Sequence, residues 1–518
     1  MISPFPYRGV AALCVLSALT GSMAVSGHAQ AKLGHISFPT SGAAAARPKF
    51  VEGVLFMHSF EYGPAAAAFR EAQQADPGFA MAYWGEAMTY NHPIWNQRDR
   101  AAALAALERL AATPEARRAK APTERERRYL DAVEILYQDG PKPPRDTAYA
   151  FAMERLVRAH PEDAEARSFY ALALLGLSQG VRVTASYMRA AAIAEEIFRE
   201  NPNHPGAAHV LIHSYDDPPH APLGLRAARA YSGIAPDAAH AQHMTTHIFV
   251  AMGMWDDVVS QNRIASDLTD WGPGHYPSWH HYGLLQQGRL KAAGEQLMLA
   301  KDLPASRPAA QRLAYLASMR AHHVINTERW DDPSLTWTID LSRAGATAQA
   351  TDAFVAGFAG AKRGDRSAAA AALDRLGTWE RDASLTAVRI MAKELAGAIA
   401  LDARETHRAL GLLTEATALE DAMPFEFGPP VMVKPSHELL GETLLELDRP
   451  AEAQRAFSRA LELAPKRALS LRGLARAAAI AGDRVAAARA YELLREIWHS
   501  ADEGLQGLEE ARRFVAVR

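Results

Sequence analysis

At 518 residues, 49% apolar and 22% charged, the chain can bury a large core and is long enough for several domains or one extended array. Its net charge of −3 excludes the basic footprint of a nucleic-acid or membrane-surface binder. Alanine-rich runs at 101–112 and 474–494 favour helix, and alternating Val/Ile/Thr runs are nearly absent, so the predicted class is all-α.

The first 31 residues read as an export signal. Arg8 supplies a positive start, residues 10–19 are almost wholly apolar, and Ala29, Gln30 and Ala31 form a cleavage site after Ala31. The apolar stretch is too short for a membrane span, so no stable membrane insertion is expected after cleavage and the mature chain is expected in the periplasm or outside the cell. The one cysteine, Cys14, lies inside this segment. The mature chain would then carry no disulfide, and a metal site would use nitrogen and oxygen ligands.

Beyond it, turn residues recur. Gly53, Phe56, Phe69, Ala72 and Pro77 fall in one frame, Pro161, Pro202 and Pro236 close later units, and Gly253, Gly288 and Gly364 mark turns between helices. Trp255, Asp256 and Asp257, like Trp330, Asp331 and Asp332, are expected to open second helices with Asp as N-cap. The stretches 98–145 and 376–430 fit poorly and are expected to be insertions or looser helical segments. The clearest unit is 434–467, with Gly441, Leu444, Asp448, Ala453, Phe457, Ala460 and Pro465 at positions 8, 11, 15, 20, 24, 27 and 32. Another starts at Ala468, with Gly482, Ala487 and Tyr491 at positions 15, 20 and 24.

This pattern resembles the tetratricopeptide (TPR) repeat. The resemblance implies a right-handed superhelical α-solenoid of about ten helix–turn–helix units, organised as signal 1–31, N-terminal and central repeats 32–330, looser repeats 331–433 and C-terminal repeats 434–518. The segments around 84–95, 204–221 and 236–249 are similar to a group of exported bacterial repeat proteins. Neither resemblance implies a particular reaction, since such repeats generally bind proteins or peptides.

The functional signal is histidine spacing. His209 and His213 recur as His243 and His247, each pair i, i+4 and displaced by 34 residues, so both pairs occupy equivalent helix faces. Ten of the twenty histidines lie within 204–281. In the TPR frame, positions 2, 5, 9, 12 and 13 of the first helix line the concave groove. That frame places His240, His243 and His247 at 2, 5 and 9, and His209, His213, Asp216 and Asp217 at 5, 9, 12 and 13. His275 and Tyr282, then Tyr315 and His322, take positions 2 and 9 of the following units, and His58 and His92 take position 13.

Neutral imidazoles converging from adjacent helices suit copper, iron or zinc. The expected ligands are His209, His213, His243 and His247, with His240 next. Asp216, Asp217, Tyr282 and His322 would stand behind them or touch a substrate. His204, His220, His280 and His281 are read as structural, and His58 with Glu61 as a single i, i+3 pair too isolated to hold an ion. Glu438 and Glu442, repeated one unit on by Arg472 and Arg476, predict either a carboxylate–guanidinium ladder or a clamp for a substrate carboxylate. Trp84, Tyr90 and Trp95 are read as core. Hydrolase and phosphate-loop motifs are absent from the sequence. Two functions therefore stand side by side: a metal centre, with an oxidative or hydrolytic reaction on a small molecule as one use, or a metal-free groove for a peptide or protein partner.

Overall fold

The computed structural model describes residues 31–178, 181–302 and 309–516, and Lys32–Arg518 forms one compact unit. The segment expected to be an export signal lies, apart from Ala31, outside the described residues. The unit is built almost wholly of antiparallel helical hairpins, as the composition demands. They run α1 (Arg47–His58) and α2 (Tyr62–Ala75), α8 (Ala164–Gly176) and α9 (Thr184–Glu200), α10 (Pro205–Ser214) and α11 (Ala221–Ile234), and α12 (Ala239–Ala251) and α13 (Trp255–Asp267). Next come α14 (His275–Gln286) and α15 (Leu290–Asp302), then α16 (Ala309–Thr327), α17 (Ala346–Arg363) and α18 (Arg366–Glu380), and α19 (Thr386–Asp402) and α20 (Thr406–Asp421). The last are α21 (Ser436–Glu446) and α22 (Pro450–Leu463), α23 (Ala468–Ile480) and α24 (Arg484–Ile497), and α25 (Gln506–Ala516).

The reason for the glycine and phenylalanine periodicity is visible at two places. Phe457 of α22 is fully buried between Gly441 of α21 and Gly473 of α23; a Cβ at Gly441 would lie 2.9 Å from its ring, and one at Gly473 would clash with it outright. Phe69 of α2 sits in the same way between Gly53, where a Cβ would lie 2.7 Å away, and Gly85 of α3 (Ala80–Met88). One ring thus locks three helices at a spacing only glycine permits. Between hairpin arms, Gly253, Gly288 and Gly364 take left-handed φ of 63°, 68° and 77°, closing the first helices without a Cβ penalty.

Of the irregular features, 98–145 is as expected a looser helical stretch, and the structure departs from expectation in two other places. In 98–145 a two-residue antiparallel ladder, β1 (Asn91–His92) with β2 (Gln97–Arg98), leads into α4 (Arg100–Glu108), α5 (Pro114–Lys120), α6 (Glu124–Leu136) and α7 (Lys142–Ala159), which pack without the repeat's signature residues. The stretch 376–430 holds a regular hairpin, α19 with α20, in which Gly397 lies against Leu413; only 422–435 is extended, where Pro424, Pro429, Pro430 and Pro435 bar helix. The Trp-Asp-Asp triplets are not equivalent. Met254 is the N-cap of α13, with Asp256 and Asp257 inside its first turn, whereas Asp332 caps a single 3₁₀ turn, Pro333–Thr336.

The array curls back on itself. Trp255 Nε1 donates to the Lys466 carbonyl at 3.0 Å, the Ala468 amide to Gln286 Oε1 at 3.0 Å, and Trp498 Nε1 to the Gln286 carbonyl at 3.0 Å. The C-terminal hairpins are therefore docked on α13 and α14. At the other end, 32–38 crosses the α9–α12 turns, the His35 amide donating to the Asn203 carbonyl at 3.0 Å, and Phe38 is wedged among Phe50, Trp84 and Tyr129.

Gly473→Val should destabilise the chain by about 1–3 kcal/mol through overpacking against Phe457. Urea unfolding would measure it, with Gly377→Val, where a Cβ meets open space, as the control expected to cost less.

Candidate metal centre

Three successive first helices, α10, α12 and α14, present their histidines to one space. His209 and His213 leave α10 one turn apart, His240, His243 and His247 leave α12, and His275 opens α14. One ring nitrogen from each of His209, His213 and His240 lies within 4.8 Å of the others, and the same holds for His243, His247 and His275. Rings of the two groups adjoin, with centroids 5.9 Å apart for His213 and His247 and 6.1 Å for His240 and His243.

Hydrogen bonds on the outer nitrogens fix which atoms face inward. His209 Nδ1 donates to the His58 carbonyl at 2.6 Å. His247 Nδ1 donates to Asp216 Oδ2 at 2.5 Å. His243 Nδ1 meets Asn262 Oδ1 at 2.7 Å, and the Asn262 amide is oriented by its Nδ2, which donates to the Val258 carbonyl at 3.0 Å. All three acceptors are oxygen, so all three Nδ1 atoms carry a proton and all three Nε2 atoms face inward. Those of His243 and His247 face each other at 3.1 Å, while the Nε2 atoms of His209, His213 and His240 are buried without a hydrogen-bond partner. Two ligands on a tetrahedral ion at about 2.0–2.1 Å stand about 3.3 Å apart, close to the 3.1 Å found between His243 and His247. Burial, reinforced by neighbouring imidazoles, holds His209 and His275 down at about 3 and His213, His240 and His243 well below the ordinary value, so these rings are neutral.

A cavity of about 480 Å³ opens onto this cluster, lined by Trp95, Tyr187, Met244, Trp279, Tyr315 and Phe427 among others. Residues 425–431 cover it. Phe427 lies 5.6 Å from the His247 ring, and Gly428, at φ 100°, is pressed so closely on Trp279 that no side chain fits. A second cavity, about 610 Å³, reaches the cluster from the α1 side, and His240 and His275 line both. There Phe60, held at φ 54°, packs its ring 4.2 Å from His209; a bulky residue in the left-handed region is strained and is retained here by the ring contacts around it.

The other expected residues divide. Asp216 orients His247, but Asp217 turns away to Arg182 at 2.8 Å and His220 at 2.6 Å. His322 lines the covered cavity of about 480 Å³, whereas Tyr282 accepts from Arg467 Nη1 at 3.1 Å in the interface with the C-terminal hairpins. The Glu/Arg ladder does not form. Glu438 takes Arg467 at 2.8 and 3.0 Å, Ser470 at 2.6 Å and Lys434 at 3.0 Å, and Glu442 takes Lys434 at 2.6 Å. Arg472 pairs with Glu328 and Arg476 with Glu510 instead, so the nearer cations, set just before the helices, claim both glutamates and no arginine is left as a clamp. Of the aromatic trio only Trp84 is core; Tyr90 accepts from Arg70, and Trp95 is 45% exposed over His240.

His58 does not pair with Glu61, which instead accepts the His240 amide at 3.0 Å. Its Nε2 donates to Glu165 at 2.6 Å, and His204 Nε2 donates to the same carboxylate at 3.1 Å. His204 Nδ1 accepts the Ala207 amide as the N-cap of α10, so its Nε2 is the protonated atom and this third cluster is satisfied internally. Burial alone would raise Glu165; the His58 and His204 rings outweigh it and hold it at about 2. His92 stacks on Tyr62 outside the cluster, His280 donates to the Val259 carbonyl, and His281 packs against His323. Sequence reasoning missed His275 as a group member, Asn262, Phe60 and the covering segment. His275 could have been found, because it shares position 2 with His240; the others carry no periodic signal.

No family model matches the chain, and no curated protein matches it. Among solved structures it is similar to the Cut9–Hcn1 APC/C hetero-tetramer (11% identity, 92% of this chain and 78% of that one, TM-score 0.33). It is similar also to yeast Tom70 (12%, 91% and 96%, 0.27) and to the P58(IPK) TPR domain (14%, 92% and 99%, 0.21). At these scores the assignment of a TPR-like α-solenoid rests on the chain's own repeated hairpins and their glycine–phenylalanine locks.

Glu165 supplies a pH test. Its folded-state value lies below the ordinary 4.5, so its stabilisation is complete above that range and is lost as pH falls towards 2. Wild type should therefore be more stable than Glu165→Gln at pH 7, with the gap narrowing between pH 5 and 2 in urea unfolding; a constant gap would contradict the assignment.

Proposed function

We propose that the α10–α12–α14 face is a transition-metal centre and that the covered cavity beside it holds a small molecule on which the metal acts, in an oxidative or hydrolytic reaction. One observation carries this reading. His243 and His247 bring their Nε2 atoms to 3.1 Å of each other while their Nδ1 protons are committed outward, to Asn262 and Asp216, and the Nε2 atoms of His209, His213 and His240 beside them are buried without a hydrogen-bond partner. A cation bound among these inward-facing nitrogens would supply the partner that the three orphaned ones lack. Outer partners of this kind, amide, carboxylate and carbonyl, are what orient metal-bound imidazoles. With three nitrogen donors on an ion, coordination positions remain for water, oxygen or substrate. Copper, iron and zinc all accept such donors.

A TPR-like solenoid is equally consistent with protein or peptide binding. Beside the histidines, however, the concave face is covered by the chain's own 425–431 segment, which favours a small ligand there over a peptide. The export-signal composition of residues 1–31 supports an extracytoplasmic location. Among the described residues no helix is long and apolar enough to cross a membrane.

Metal content of the full chain, expressed without an affinity tag of histidines, is the test. At least one equivalent of copper, iron or zinc is expected, and a His243→Ala/His247→Ala variant, folded as judged by circular dichroism, should hold about one equivalent less. Asp216→Ala should weaken metal affinity by about 10–100-fold while leaving the ligands in place. Protein that stays metal-free after incubation with each ion would overturn the proposal and leave the partner-binding groove.

A further inference from the structure

We infer that the six histidines hold two copper ions side by side, one on His209, His213 and His240 and one on His243, His247 and His275, with dioxygen as the ligand that bridges them. The inference rests on the metal-centre reading and deepens it: it sets the number of ions, selects the element and chooses the oxidative branch.

The number follows from how the donors are grouped. They fall into two sets of three, each with its ring nitrogens within 4.8 Å, rather than one set of six. Within the sets, neighbouring ring centroids lie 4.3–5.1 Å apart, whereas the contacts between sets, at 5.9 and 6.1 Å, are wider, so the two sets are distinct yet adjoin. Each set has its own outer anchor: the His58 carbonyl on His209, and Asn262 and Asp216 on His243 and His247. Two sets built independently on adjoining helices make two neighbouring positions. The third histidine cluster, with Glu165, does not extend them, because its inner nitrogens are already donating to that carboxylate.

The element follows from donor chemistry and charge. Every donor in the two sets is an imidazole nitrogen, and Asp216, the carboxylate hydrogen-bonded to them, is spent on His247 Nδ1. Among divalent first-row ions nitrogen sites bind copper most tightly. Six neutral ligands offset none of the metal charge, and burying two divalent ions would leave four positive charges with little water. Copper is stable as a monovalent ion, which halves that charge. Three donors per ion leave positions open toward the cavity of about 480 Å³. When dioxygen enters, each cuprous ion gives one electron; the oxygen takes both and becomes a bridging peroxide between two cupric ions. Electrons balance within the pair, and no proton or external reductant is required.

The experiment loads the full chain with cuprous ion under anaerobic conditions, admits oxygen, and reads copper per chain, oxygen taken up and electron paramagnetic resonance spin count. Two coppers per chain, one oxygen per pair and a spin count far below the copper content are expected, because two bridged cupric spins couple and cancel. His209→Ala/His213→Ala should retain one copper with its full spin visible, and His275→Ala, on the other set, serves if that variant fails to fold. One copper with full spin in the wild type overturns the pair but leaves a metal centre standing. Two coppers that are both fully visible, or uptake of two zinc ions with no oxygen-reactive copper, overturn the bridge or the element. Absence of any metal overturns the centre itself.

Discussion

An imidazole has two nitrogens, and in a buried site each must be accounted for. The cluster on α10, α12 and α14 satisfies the outer nitrogen of His209, His243 and His247 with a carbonyl, an amide oxygen and a carboxylate, and leaves the inner one facing its neighbours. This allocation of protons is the constraint around which the middle of the molecule is arranged. It requires α13 to bring Asn262 beneath His243, the end of α10 to bring Asp216 beneath His247, and the end of α1 to bring the His58 carbonyl to His209. The Glu165 cluster beneath α10 follows the opposite rule. There both histidines donate to one carboxylate and nothing is left over, so it fixes His58, and through its carbonyl His209, without offering a ligand site.

A second buried set of charges closes the array. Glu438 and Glu442 face Lys434 and Arg467, two anions against two cations, and Arg467 reaches Tyr282 on α14. Such a group contributes little net stability when complete but is costly to break, so it sets geometry more than it adds free energy. The geometry it sets is functional. By tying the start of α21 and α23 to α14, it fixes the far end of the 422–435 segment, whose Phe427 and Gly428 then rest on His247 and Trp279. A surface that in an isolated solenoid would be an open groove becomes a covered cavity.

Much of this was legible in sequence because repetition is. The 34-residue period, the turn glycines and the closing prolines depend on contacts between neighbouring helices, and those contacts recur wherever the residues recur. Phe69 and Phe457, each between two glycines 32 residues apart, are the same lock at opposite ends of the chain. The i, i+4 histidine pairs are legible for the same reason, since helix geometry alone puts both rings on one face. The Glu438/Arg472 register failed because periodicity fixes which face a side chain leaves from but not which partner reaches it first. Asp217, one residue after Asp216 and at a groove position in the same frame, points instead to Arg182 because α10 has already ended at Ser214. Trp95 read as core because aromatic composition cannot distinguish a ring inside a hairpin from one over a cavity.

The sequence by itself determined that the chain is helical, that its hairpins stack with a TPR-like period, and that five histidines of α10 and α12 share a face; these are consequences of local spacing, carried by 3.6 residues per turn and one repeat length. Only the tertiary structure decided which nitrogens keep their protons, that His275 completes a second set of three, and that residues 425–431 cover the cavity. Those outcomes depend on Asn262, on the His58 carbonyl and on Arg467, groups that come from helices distant in sequence and obey no period, so nothing but the folded chain brings them to the histidines.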